Sequence, residues 1–112
     1  MSEEQKTILV LAGKSYLESF DSLMSGSFGV LQALTEQEAL ESLSRRKIDV
    51  MFLDMELKGG QGGLDVLGRV KEILPDIPVI ILTATPDVQT AIEAMRLGAF
   101  HYISKSPKFE EF

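Results

Sequence analysis

Cysteine is absent from all 112 residues, which excludes a disulfide framework and any thiolate metal site. Cations are in the minority, 11 Lys and Arg against 17 Asp and Glu, for a net charge of −6. Gripping a nucleic-acid backbone takes clustered positive charge, and only Arg45-Arg46-Lys47 forms a cluster. That trio suits the end of a helix, where cations meet the negative pole of the helix dipole, so no direct binding of nucleic acid is expected. No apolar run approaches the roughly 18 residues that a membrane-spanning helix needs. The start, Met1 to Lys6, is polar and acidic, unlike the basic-then-apolar opening of a signal peptide. A cytoplasmic location without a membrane partner is expected. The one histidine, His101, has no motif partner and reads as a surface residue.

What is present is ordinary for a globular protein: 45% hydrophobic and 25% charged residues, in a chain long enough for one core and too short for two. Short, partly β-branched apolar stretches alternate with helical ones. Ile8 to Leu11, Val30 to Ala33, Ile48 to Leu53, Ile77 to Leu82 and Phe100 to Ser104 predict five strands. Helical faces are formed by Leu17, Phe20 and Met24, then by Leu64, Leu67, Val70 and Leu74, then by Val88, Ala91, Ile92 and Met95. Met51, Met55 and Met95 are expected as core filler. Thr35-Glu36-Gln37-Glu38 is a capping box that opens the second helix. Thr85-Pro86 predicts the N-cap and first residue of the fourth helix, and Gly98 its end. Gly59 to Gly63 reads as a loop. Strands that are apolar throughout are covered on both faces, and βαβα alternation implies parallel pairing. The fold class is therefore a doubly wound α/β sheet. Ser106-Pro107 has the signature of a fifth helix, yet five residues follow, so that helix is expected to be truncated or absent.

Three predicted strands end on a reactive side chain: Asp54 after Val50-Met51-Phe52-Leu53, Thr83 after Val79 to Leu82, and Lys105 after Tyr102-Ile103-Ser104. The carboxyl ends of the strands are where open α/β sheets place their ligands. The first strand runs instead into Ala12-Gly13, so no acid stands at the fourth corner.

In this order and spacing the chain, from Ile8 to about Phe112, resembles the response-regulator receiver domain of two-component signalling. The carrying motifs are Val50 to Asp54, Ile81-Leu82-Thr83-Ala84, and Gly98-Ala99 through Tyr102-Ile103-Ser104-Lys105. The resemblance implies a five-stranded flavodoxin-like sheet in the order 2-1-3-4-5 and a signalling module rather than an enzyme. It further implies a single receiver domain over residues 1–112, expected to be the N-terminal part of a longer protein. Asp54 would be the phosphoacceptor, Lys105 its cationic partner, Thr83 a hydroxyl donor to the phosphoryl group, and Tyr102 a switch aromatic. The donor would be a sensor histidine kinase or a phosphotransfer protein.

Several positions depart from the family. Its two adjacent acids after the first strand are replaced by Ala12 and Gly13. Magnesium is held through carboxylates, so only weak Mg2+ binding is expected, with Asp54 and the backbone carbonyl of Glu56 as the metal ligands left and the Glu56 side chain as a partial substitute. Lys58 and Ser106 stand where prolines are usual. A rival reading is a pseudo-receiver, a phosphorylation-independent interaction module that docks partners through its fourth helix and fifth strand. Gly13-Lys14-Ser15 also imitates a phosphate-binding loop, but the first glycine of that motif would fall at Ile8, inside a strand. With the fifth helix short, part of one sheet face would be bare, and a homodimer is expected to cover it.

Overall fold

The computed structural model describes residues 6–24, 26–56 and 62–105. The predicted start of a fifth helix at Ser106-Pro107, together with Lys58, lies outside them. Strands and helices alternate: β1 (Thr7–Leu11), α1 (Lys14–Met24), β2 (Gly29–Ala33), α2 (Glu36–Arg45), β3 (Val50–Asp54), α3 (Gly63–Ile73), β4 (Val79–Thr83), α4 (Val88–Arg96) and β5 (His101–Ser104). The five strands form one sheet in the order β2-β1-β3-β4-β5, every neighbouring pair parallel. The flavodoxin-like expectation is met. Each predicted strand lies within two residues of the observed one.

Burial explains why β1 is apolar without alternation. Leu9 and Val10 point to opposite faces of the sheet and both are fully buried. On one side Ile8 and Val10 pack with Leu17 and Phe20 of α1. Phe20 meets Phe52 edge-on, with ring centroids 4.9 Å apart. On the other side Leu9, Leu11, Met51, Leu53, Val79 and Ile81 pack under α2, α3 and α4. Removing a buried side chain of this size from water contributes about 1.5–3 kcal/mol.

Helix ends follow the local chemistry, with corrections. The Thr35 hydroxyl accepts from Glu38 N–H at 3.1 Å, as the capping box predicts. The Glu38 carboxylate reaches back one residue further than expected, to Leu34 N–H at 2.8 Å. At α4 the cap is Asp87, not Thr85: its carboxylate accepts from both the Thr90 N–H and the Thr90 hydroxyl at 2.9 Å. A carboxylate is the stronger acceptor at the positive end of a helix, and Thr85 N–H is turned toward Thr83 Oγ1. Gly98 closes α4 as predicted. Its φ of 104° lets Gly98 N–H reach Met95 O and Ala99 N–H reach Ala94 O, the paired bonds of a Schellman end. Gly63, predicted in a loop, is the first residue of α3.

The predicted face of α4 also needs correcting. Ala94 is buried and Ala91 half-buried, whereas Val88, Ile92 and Met95 are exposed. Close to the edge strand β5, α4 lies on the sheet by its small residues, which leaves the large ones outward. Met95 is thus not core filler, although Met51 is.

Candidate functional site at the carboxyl edge of the sheet

Parallel register brings the three predicted residues together. Asp54 is the last residue of β3 and pairs with Leu82, next to Thr83 at the end of β4. Lys105 follows β5 directly, and its N–H donates to Thr83 O at 2.7 Å, which extends the ladder by one residue. Met55 N–H likewise donates to Leu82 O at 2.8 Å. Asp54 and Thr83 are the two buried polar side chains among the described residues.

The Lys105 ammonium donates to both Asp54 oxygens, at 3.0 and 3.1 Å. Asp54 Oδ1 also accepts from Glu56 N–H at 2.8 Å, a turn in which a side chain fixes the backbone two residues ahead. That turn sends the Glu56 side chain across the site. Its Oε2 accepts from the Thr83 hydroxyl at 2.5 Å, and its Oε1 from Ala84 N–H at 3.1 Å. Lys105 Nζ lies 3.2 Å from the same Oε1. Two carboxylates thus share one ammonium.

The electrostatics follow from this packing. Burial alone would lower the Lys105 pKa, but the hydrogen bonds and charges of Asp54 and Glu56 outweigh it and hold the ammonium above its usual value. Burial would raise Glu56, yet hydrogen bonds from Thr83, Ala84 and Lys105 bring its carboxyl below the ordinary range. Tyr16, in the first turn of α1, closes the side of the site, its ring centroid 5.4 Å from Lys105 Nζ. Burial, and then the negative charge of Asp54, push its phenol upward.

Tyr102 stands apart from this cluster. It is half-buried against the core under α2 to α4, and its hydroxyl accepts from Asp87 N–H at 3.2 Å. Through it β5 is tied to the N-cap of α4. Ala12 is fully buried, and Gly13 is exposed with open space where a Cβ would stand. His101 is exposed and meets Phe100 edge-on. Tyr16 was missed in the sequence; its position in the first turn of the helix that follows β1 was the available signal. The placement of Glu56 over Thr83 and Ala84 was missed as well.

A divalent cation fits these residues poorly. Among the described residues no group of three or more acidic or histidine side chains could hold one. Of the two carboxylates at hand, Glu56 is engaged by Thr83, Ala84 and Lys105, and Asp54 carries the ammonium.

An acid at the end of the central strand, with a hydroxyl and an ammonium ending the next two, defines the class: a doubly wound α/β domain of receiver type. The chain belongs to the response regulator receiver domain family, whose model matches residues 14–112. It is 44% identical over 71 residues to the regulatory protein LuxO of Vibrio cholerae, a match over 63% of this chain and 15% of that protein. It is 33% identical over 113 residues to the transcriptional regulatory protein ZraR of Klebsiella oxytoca, covering 99% of this chain and 25% of that protein. The chain thus spans a quarter or less of the length of these relatives. The crystal structure of a response regulator from Thermotoga maritima superposes with a TM-score of 0.82 at 29% identity, over 96% of this chain and 91% of that one. The chain is a receiver domain of two-component signalling. No helix among the described residues is long and apolar enough to cross a membrane.

Proposed function

We propose that Asp54 accepts a phosphoryl group from a sensor histidine kinase or phosphotransfer protein. The observation that carries this reading is the Lys105 ammonium seated on both Asp54 oxygens, beside a buried strand-end hydroxyl on Thr83. In the transfer an Asp54 oxygen forms a bond to phosphorus while the bond from phosphorus to the donor imidazole nitrogen breaks, its electron pair staying on nitrogen. Charge on the equatorial oxygens calls for preorganised donors. Lys105 serves as the cation and Thr83 as the hydroxyl donor. Tyr102 carries the change of state toward α4 through its hydrogen bond to Asp87. Magnesium binds weakly at best, through Asp54 and the backbone carbonyl of Glu56.

The domain, residues 1–112, acts as the N-terminal part of a longer cytoplasmic protein and alters its contacts with an output domain or a second copy. It does no catalysis on other molecules and makes no direct contact with nucleic acid. A second reading, a phosphorylation-independent interaction module, draws support from the missing acids at Ala12 and Gly13 and from the exposed Val88, Ile92 and Met95 of α4.

Incubation with acetyl phosphate and magnesium, followed by intact mass measurement, separates the two. The receiver reading expects one added phosphoryl group, absent in Asp54→Asn. No gain over a wide range of donor and magnesium concentrations favours the module.

A further inference from the structure

We propose that the Glu56 carboxylate is an internal occupant of the oxyanion site, and that an incoming phosphoryl group must displace it from Thr83, Ala84 and Lys105. The inference rests on the receiver reading of Asp54 and extends it to a residue with no assigned part in the transfer.

Three donors of different kinds converge on this one side chain: the Thr83 hydroxyl at 2.5 Å, Ala84 N–H at 3.1 Å and the Lys105 ammonium at 3.2 Å. A hydroxyl, a backbone N–H and an ammonium around one point form a cradle for negatively charged oxygen. The delivery is built in. Glu56 N–H is bonded to Asp54 Oδ1 at 2.8 Å, so the backbone that carries the blocking carboxylate is anchored to the acid it blocks. Glu56 is nevertheless 40% exposed at its side chain, so it can swing into water without opening the core. Each donor it holds is one that a phosphoryl oxygen on Asp54 would need. The carboxylate therefore keeps Thr83 and Lys105 engaged in the unmodified protein, and it competes with any tetrahedral anion for the same contacts.

Inorganic phosphate provides a test that involves no covalent step. In an Asp54→Asn background, phosphate is titrated into protein with Glu56 intact, with Glu56→Gln and with Glu56→Ala, and the Ala84 amide is followed by NMR. Glu56→Ala should bind at least ten times more tightly than the parent. Glu56→Gln should stay nearer the parent, because its amide oxygen can still accept from Thr83 and Ala84. Equal tightening by Gln and Ala would mean that only the loss of charge matters, and no tightening by Ala would mean that the site is not contested; either result overturns the proposal. With Asp54 restored, Glu56→Ala should take up phosphoryl groups from acetyl phosphate several-fold faster. If the phosphate results hold and no variant is ever labelled, the internal occupant stands and the phosphoacceptor reading falls. If wild type is labelled and Ala binds phosphate no better, the reverse is true.

Discussion

Removing Lys105 tests whether the site is held by its charges. Its ammonium lies 3.0 Å from Asp54 Oδ2, with 17% and 6% of the two side chains exposed. At that separation the attraction is about 5 kcal/mol for an effective dielectric constant of roughly 20, and much of it offsets the desolvation of both ions. Lys105→Ala leaves a buried carboxylate unpaired beside Glu56. We expect a loss of about 3 kcal/mol, at the lower end for broken buried pairs because the lysine is partly hydrated. Asp54→Ala should cost less, about 1 kcal/mol, since Glu56 still accepts Lys105. In the double variant the orphaned carboxylate is gone, so the two losses should fail to add by about 2 kcal/mol. Urea unfolding of the four proteins measures this. The sign of the pH dependence is set by the lysine. Its folded pKa is raised above the ordinary 10.5, so its contribution is complete below 10.5 and fades as the pH climbs through the higher folded value. A non-additivity below about 0.5 kcal/mol, the range of an ordinary surface pair, would refute the reasoning.

Three further outcomes are expected. Gly63→Ala should destabilise by about 1–3 kcal/mol, because a Cβ there would come within 2.8 Å of Met55 Cα and 3.2 Å of Asp54 O; thermal unfolding reads the loss. Wild type should bind magnesium at least tenfold more weakly by calorimetry than a variant with Ala12→Asp and Gly13→Asp, since carboxylates are the usual route to that ion; equal affinities would sink the expectation. Ile103 is exposed on the sheet face that α1 covers elsewhere, and light scattering across a dilution series should show a two-fold dimer forming there, lost in Ile103→Glu.

The strands were legible because β1, β3 and β4 are buried on both sides, which forces unbroken apolar runs, and the runs of β3 and β4 end where a polar side chain enters the site. Asp54 and Thr83 could therefore be picked out as the ends of buried runs and Lys105 as the end of the shorter, more exposed β5, and the register joins them. What sequence could not supply was direction. Periodicity grouped Val88, Ala91, Ile92 and Met95 on one face of α4, but nothing in spacing says whether the large residues of that face or the small Ala91 and Ala94 meet the sheet. Glu56 presented the same difficulty. An acid two residues past Asp54 is equally a solvent-facing side chain or a neighbour of Thr83, and only the turn closed by its own N–H decides. Thr85-Pro86 misled because a threonine before a proline fits a helix start, while Asp87, two residues on, is the stronger cap.

The small-residue face of α4 has a mechanical consequence. Interlocked side chains resist sliding, because each must leave a fitted recess before it can enter the next. Ala91 and Ala94 offer methyl groups only, so α4 rests on the sheet as on a smooth bearing. Its N-terminus is tied to β5 where Asp87 N–H meets the Tyr102 hydroxyl, three residues past Ala84. Val88, Ile92 and Met95 are carried on the same helix, so any shift of α4 along the sheet would move that exposed apolar face with it.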